Sequence, residues 1–465
     1  MKKILIASLT LLLLLTKSSC VFAEGSPLSV PNNKFGIHIT SENDLNDAVS
    51  LVNSGGGDWG YVTIVITEAE RDQGRFQSVF DQMRRDHLIP IVRLATKADG
   101  NIWEAPKEEE INNWVAFLNS LNWVVQNRYV VIGNEPNHAS EWGGSLDPAA
   151  YAVYLKEFSG KLKAASSDFF ILPAGLDASA KNIAGTMEEG KYLKLMDSAV
   201  PDIFDSIDGW TSHCYPNPDF SGAPTATGKG TVATYDWELS YLKTLGLEKN
   251  LPVFITETGW SNENLSEDEI GRRLTYAYEN VWDDARVVAV TPFILNYTQA
   301  PFNIFSWKKP DGSFYSFYAT IQKISKIKGE PQQVISGNVL AAFAQPIVLI
   351  GSDFVGAILA RNTGQSIWNP KSMLVKSETD PDLIKNYSFN EVEPGRLGLI
   401  FFKARAQPNA GLYKNSVYLA TDKNQRVTDS FPIEAFVLKF DQMQTWSIFG
   451  KITGSLRNAF FLPKF

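Results

Sequence analysis

Cysteine and histidine are scarce in this 465-residue chain, with two and four copies. The histidines are His38, His87, His138 and His213, and none forms a His-x-His or His-Glu-x-x-His set, so the usual ligand spacings of a metal-dependent hydrolase are missing. No Gly-x-Ser-x-Gly marks a serine nucleophile, and no Gly-x-Gly-x-x-Gly follows the first candidate strand. Basic excess is absent too: the formal net charge of −8 argues against nucleic acid as a partner. Beyond the amino-terminal leader, no stretch of 18 uninterrupted apolar residues could span a membrane.

That leader reads as a signal peptide, residues 1–23. Lys2 and Lys3 precede the apolar run Ile4 to Leu15, and Val21-Phe22-Ala23 suits cleavage after Ala23, so a secreted or cell-envelope protein is expected. Cys20 raises a lipoprotein alternative, which Lys17 weakens by standing where a lipidation signal normally has Leu. Cleavage would remove Cys20 and three lysines, leave Cys214 as the one cysteine with no intrachain disulfide, and move the net charge from −8 to −11. The remaining length suits two domains.

From about residue 33 to 328 short apolar runs alternate with longer helix-period segments. Candidate strands are Phe35 to Ile39, Tyr61 to Ile66, Ile89 to Leu94, Tyr129 to Ile132, Phe169 to Leu172, Ile207 to Thr211, Val253 to Ile255 and Val288 to Leu295. Helices are expected over Glu108 to Val125, Pro148 to Ala165 and Ser266 to Trp282, the last opened by the cap-like Ser266-Glu267-Asp268-Glu269. This pattern predicts an α/β fold, a (β/α)8 TIM barrel rather than an open doubly wound sheet. Two strings stand out in it, Val131-Ile132-Gly133-Asn134-Glu135-Pro136-Asn137 and Phe254-Ile255-Thr256-Glu257-Thr258-Gly259-Trp260. In each, a run ending a strand opens on a glutamate among turn-forming residues, where a parallel barrel keeps its chemistry. Two carboxylates brought together there are what glycosidic cleavage needs, one as proton donor and one as nucleophile or base.

With Glu135 after strand 4 and Glu257 at strand 7, the chain resembles the retaining glycoside hydrolases of clan A. The Gly-Asn-Glu-Pro-Asn string is similar to families 39 and 5, and Thr-Glu-Thr-Gly-Trp-Ser to family 17, whose usual Pro after the Trp is replaced by Ser261. The resemblance implies that Glu135 is the acid/base, Glu257 the nucleophile and Asn134 the residue that bonds the sugar 2-hydroxyl. His213-x-Tyr215, at the end of strand 6, matches a clan motif whose tyrosine bonds the nucleophile. Arg93, near the end of strand 3, either holds Glu257 ionised or pairs with an acid structurally. Glu135 is expected in the more apolar setting of the two glutamates. No cofactor and no metal are implied; the substrate is an oligo- or polysaccharide with β-linkages, and a monomer is expected. Two other readings stay open, a non-catalytic glycan-binding or cell-surface barrel, and a transglycosylase.

Aromatic residues make up 12% of the chain. Trp142, Trp260 and Trp307 fall in loops expected at the upper face, where each is either a sugar platform or packing, and His38 at the end of strand 1 is similarly open. Cys214 should point away from His213 and Tyr215 by strand alternation, against a helix. Residues 329–333, Gly-Glu-Pro-Gln-Gln, read as a linker, and residues 334–440 as an immunoglobulin-like β-sandwich with strands at Val355 to Ala360, Met373 to Val375, Leu397 to Lys403, Ser416 to Ala420 and Ile433 to Lys439. There Asn362-x-Gly364-x-x-x-Trp368 resembles a hairpin of accessory domains in secreted bacterial enzymes, with further turns at Glu393-Pro394-Gly395 and Ala410-Gly411-Leu412-Tyr413. The sandwich is either glycan-binding or a spacer. Residues 441–465 repeat Trp446, Phe449, Ile452, Leu456 and Phe460 at helical intervals with basic residues nearby, which suits either peripheral membrane contact or packing on the sandwich.

Overall fold

The computed structural model describes residues 25–439. The expected signal peptide and the expected amphipathic tail both lie outside the described residues. Eight parallel strands run through the first part: β1 (Gly36–Ile39), β2 (Gly60–Thr67), β3 (Leu88–Ala95), β4 (Arg128–Ile132), β5 (Phe169–Pro173), β6 (Trp210–His213), β7 (Val253–Glu257) and β8 (Val287–Val290). One helix follows each: α1 (Leu45–Val52), α2 (Gln73–Arg85), α3 (Glu110–Ser120), α4 (Pro148–Ala165), α5 (Glu189–Ala199), α6 (Thr234–Thr244), α7 (Glu267–Tyr276) and α8 (Ser316–Gln322). Strands β1 to β5 form one sheet in sequence order and β6 to β8 a second. Isolated parallel bridges, Asp177 with His213 and Phe35 with Val290, join the sheets at both junctions. Most strand residues are buried regardless of facing, which suits a parallel sheet covered by helices and explains why these runs are apolar without alternation.

Local chemistry sets the helix ends. Asp147 caps α4 by accepting from Ala150 N at 2.9 Å, with Pro148 at the first helical position. Ser266 caps α7 by accepting from Glu269 N, and acidic residues fill the first turn. The helix expected over Glu108 to Val125 stops at Ser120. Buried Arg84 is the reason: its guanidinium donates to Asn122 O and Oδ1 and to Trp123 O, holding that segment out of helical geometry. Strand β6 starts three residues later than expected, because the Asp208 carboxylate accepts from Ile171 N at 2.7 Å and keeps the preceding segment outside the sheet.

After Gln333 the chain forms β9 (Gly337–Ala344), β10 (Ile347–Leu349), β11 (Asp353–Asn362), β12 (Met373–Ser377), β13 (Ile384–Ser388), β14 (Leu397–Arg405), β15 (Gly411–Thr421) and β16 (Phe431–Leu438). They make two four-stranded sheets, in orders β9-β11-β14-β13 and β10-β16-β15-β12, around a separate cluster of buried side chains that includes Phe354, Ile358, Trp368, Ile400, Phe402 and Val417. Two local expectations are corrected here. The Asn362 to Trp368 segment is not a hairpin, because β11 and β12 pair in different sheets; Asn362 Nδ2 donates to Ser366 O and Val392 O and turns the chain across the core. Gly411 to Tyr413 is not a turn but the start of β15.

Residues 329–333 do not hang free. Gly329 N donates to Asp58 O, Glu330 N to Pro31 O, and Gln126 N to Gln332 O, while Gln333 Nε2 and Gln365 Nε2 donate to Val124 O and Val125 O. The contacts to residues 124–126 lie just before β4, at its amino end, and those to Pro31 and Asp58 lie before β1 and β2. No helix among the described residues is long and apolar enough to cross a membrane.

Candidate active site

The carboxyl ends of β3 to β7 bring Arg93, Asn134, Glu135, His213, Tyr215 and Glu257 together. Glu257 is the last residue of β7, and the β6–β7 register shifts between Ser212 and His213, so that His213 stands opposite Glu257. Such an irregularity re-aims a side chain at the rim of a sheet. Glu135 lies three residues past the end of β4 in a left-handed backbone conformation, φ +31°, after Gly133 at φ +93°. A non-glycine residue held there costs about 1–3 kcal/mol and is kept only where its surroundings over-determine it. They do so here: Glu135 N donates to Gly175 O at 2.9 Å, His138 N donates to Glu135 O at 2.8 Å, and buried Asn137 ties the loop to Asp177 and Met187.

The two glutamates sit in different electrostatic settings. Glu257 accepts from Arg93 Nη1 and from Tyr215 Oη, each at 3.0 Å. Burial raises its pKa, but the positive charges of His213 and Arg93 and the Tyr215 bond outweigh burial and hold it below the usual carboxylate range. Glu135 Oε1 lies 2.8 Å from His213 Nδ1, which is also 3.7 Å from Glu257. Burial opposes a charge on His213, and the two glutamates overcome it and raise its pKa. Contrary to expectation, Glu135 is the more exposed of the pair, its side chain 22% accessible against 10% for Glu257. The distinction between them therefore lies in their partners. Arg93 faces Glu257 and also bonds Asn134 Oδ1, which joins the Asn134 amide to the same network.

None of the three tryptophans presents an exposed face, although Trp142 lines a pocket with Arg93 and Asn134. Trp142, Trp260 and Trp307 are all buried: Trp142 packs edge-on against Tyr151, Trp260 donates its Nε1–H to Gly222 O, and Trp307 packs edge-on against Phe317. Burying an indole removes more apolar surface from water than almost any other side chain, so a loop tryptophan within reach of the core turns inward. Other rings frame Glu257 instead. Tyr215 packs on Phe220 and Phe305, Phe305 on Phe293, and Phe293 on Phe302, a residue 44% exposed. His38 lies edge-on to Phe293 in full burial, both ring nitrogens without a hydrogen-bond partner among the described residues, its pKa lowered to about 3 by burial and by Arg93. It is a neutral imidazole beside the site. Cys214 is buried, as alternation required.

Sequence reading missed Gly175, although the small step Pro173-Ala174-Gly175 at a strand end was the available signal. A Cβ there would come within 2.4 Å of His213 Nε2, so the imidazole occupies space that any other residue would fill. Glu135, His213 and Glu257 also place ligand atoms within 4.8 Å of one another, the only such trio among the described residues. Arg93 and Tyr215 already engage both Glu257 oxygens, and a cation would have to compete with that fixed positive charge.

No protein-family model and no curated protein matches the sequence. Solved structures similar to the chain include a family 39 glycoside hydrolase from Bacteroides cellulosilyticus WH2, at 18% identity over 82% of each chain with a TM-score of 0.44. A GH128 endo-β-1,3-glucanase from Sorangium cellulosum is 15% identical over 62% of this chain and 97% of its own, with a TM-score of 0.42. GH5_18 from Streptomyces cattleya, solved with GlcNAc, is 13% identical over 63% of this chain and 80% of its own, with a TM-score of 0.46. These structural neighbours are clan A glycoside hydrolases of several families. At such TM-scores the likeness bears no weight of its own, and the functional reading rests on the geometry of this chain.

Proposed function

We propose that the protein is an exported retaining glycoside hydrolase, built on a closed (β/α)8 barrel of residues 33–328 followed by an immunoglobulin-like sandwich, and that it cleaves β-linked glycans. The observation that carries this reading is the closeness of the two glutamates: His213 Nδ1 lies 2.8 Å from Glu135 and 3.7 Å from Glu257, and one oxygen of each glutamate lies within 4.8 Å of one on the other, which leaves little room for the water of an inverting enzyme. Retaining enzymes hold their carboxyl groups about 5–5.5 Å apart, whereas inverting enzymes leave about 6.5–9.5 Å for a water. The bridges at both sheet junctions support the closed barrel.

In the first step Glu257, kept ionised by His213, Arg93 and Tyr215, attacks the anomeric carbon while Glu135 protonates the departing oxygen. Glu135 Oε1 lies within hydrogen-bond distance of His213 Nδ1, which fixes where the carboxyl stands. In the second step Glu135 takes a proton from the water that releases Glu257. Asn134 bonds the sugar 2-hydroxyl. Sugar faces stack on the aromatic wall that ends at exposed Phe302. The sandwich contacts the amino end of β4, on the far side of the strand from Glu135, which supports a spacer rather than a part of the site.

The test is a panel of β-glucans, mannan, xylan and galactan with products separated by size, run with and without a chelator. The first-formed anomer is read by proton NMR. A β product supports the reading. An α product means inversion, silence across the panel favours a binding protein, and chelator sensitivity points to a metal in the trio.

A further inference from the structure

A second histidine stands in the loop of the acid/base. His138, three residues after Glu135, turns its ring to the loop that follows β5: Nε2 lies 2.8 Å from Asp177 Oδ2, and since a carboxylate only accepts, the imidazole donates. Asp177 is itself fixed. Its Oδ1 accepts from Ser179 N at 2.8 Å and from Ser179 Oγ at 2.7 Å, and its backbone N and O bond the Asn137 side chain. It also stands beside His213 in the parallel bridge beyond the end of β5. Glu135 is therefore held from two directions: His213 meets its carboxyl at 2.8 Å, and Asp177, next to His213, anchors the turn behind it, which His138 N closes by donating to Glu135 O. Two other ties of this turn, Ala139 N to Gly185 O and Met187 N to Asn137 O, run through the backbone. The His138–Asp177 bond joins side chains, so substitution can remove it alone.

We propose that Asp177 is a positioning residue for the acid/base: through His138 it holds the strained turn that carries Glu135, and so keeps the Glu135 carboxyl within reach of the leaving oxygen. This rests on the glycosidase reading above. The charges suit a lasting bond. Asp177 raises the His138 pKa against burial, with help from the charges of Glu135 and Glu141; burial raises the Asp177 pKa, but the bonds from His138 and Ser179 outweigh it and hold the carboxyl below its usual range. Glu257 takes its own bonds from Arg93 and Tyr215. Loosening the turn should therefore cost protonation of the leaving group and spare nucleophilic attack.

The test compares two β-glycosides of a sugar that the panel shows to be cleaved, one with phenol as leaving group, which needs the proton, and one with 2,4-dinitrophenol, which does not. For both, kcat/KM reports the first step. Asp177→Ala should lower kcat/KM about tenfold or more on the phenyl glycoside, within the 10²–10⁴ that a general acid supplies in all, and leave the dinitrophenyl glycoside within about twofold. Asp177→Asn should keep both rates within about threefold, its amide oxygen facing Ser179 and its nitrogen donating to a neutral His138. On a Glu135→Ala background, Asp177→Ala should cost nothing further. Equal losses on both substrates would make Asp177 mere support for the fold and overturn the proposal, as would full activity of the alanine variant on both. If that variant does not fold, His138→Phe removes the same bond from the other side while Asp177 keeps Ser179, and the same comparison applies. Failure of the glycosidase reading is seen separately, as a wild-type protein that turns over neither substrate, and it removes the proposal with it.

Discussion

Removing each glutamate in turn should break a different half of the reaction. Glu257→Ala deletes the nucleophile and also leaves the Arg93 guanidinium, 85% buried, with Asn134 as its remaining bonded partner. Activity should fall by about four orders of magnitude or more on every substrate, equivalent to about 5.5 kcal/mol of lost transition-state stabilisation. Glu135→Ala deletes the proton donor, a contribution of about 10²–10⁴ that depends on the leaving group. On natural glycans the loss should be of that size, whereas a dinitrophenyl glycoside, whose leaving group needs no proton, should react in the first step and stall in the second. The variants differ in what a small anion can do. Each Glu→Ala change clears a carboxylate's space on one face of the anomeric carbon, and with the pair within 4.8 Å an azide ion placed there sits in reach of the substrate. Azide should rescue Glu135→Ala to give a β-glycosyl azide, by attack on the glycosyl enzyme, and should give the α-azide with Glu257→Ala. The assay is release of dinitrophenol with and without azide, the product anomer being read by NMR. Near-normal turnover by either variant, or the same anomer from both, would refute the assignment.

Four further outcomes are expected. Tyr215→Phe removes a bond that helps hold Glu257 below the usual carboxylate range, so the Glu257 pKa rises and the acid limb of kcat/KM moves to higher pH; an unmoved limb refutes this. Gly175→Ala drives a Cβ to 2.4 Å from His213 Nε2 and should cost at least about tenfold in rate while circular dichroism still reports a folded protein; wild-type activity would mean the ring is not held there. Glu189 and Glu238 are both fully buried behind β6, each raised by burial and Glu189 also by the charge of Glu238, so the folded state keeps protons that the unfolded chain releases. Stability is therefore lost as pH rises above the unfolded carboxylate range towards the folded pKa values, and Glu238→Gln should flatten the fall in Tm above about pH 5; parallel curves refute it. A chain shortened after Gln333 should fold and keep its activity on a soluble oligosaccharide, because the carboxyl-terminal sheets meet the amino end of β4 while the site lies beyond its other end; a folded but inactive product refutes it.

The sequence by itself determined the alternation of apolar runs and helix-period segments, the two glutamates at strand ends, and the partners Arg93, His213 and Tyr215. These are local properties: a run that must be buried on both faces is written in consecutive residues, and a carboxylate among turn-formers is visible where the run ends. Tertiary structure decided what loops do with their side chains. Trp142, Trp260 and Trp307 sit in the segments expected, but the choice between core and surface depends on which neighbours come within reach, and all three went inward. Gly175 acquires meaning only through His213, a residue brought beside it by a neighbouring strand end. The Asn362 to Trp368 turn has the same sequence whether it closes a hairpin or crosses between sheets; pairing partners far along the chain made it a crossing. Docking of residues 329–333 against Pro31, Asp58 and Gln126 was equally invisible, because backbone hydrogen bonds carry no side-chain signature.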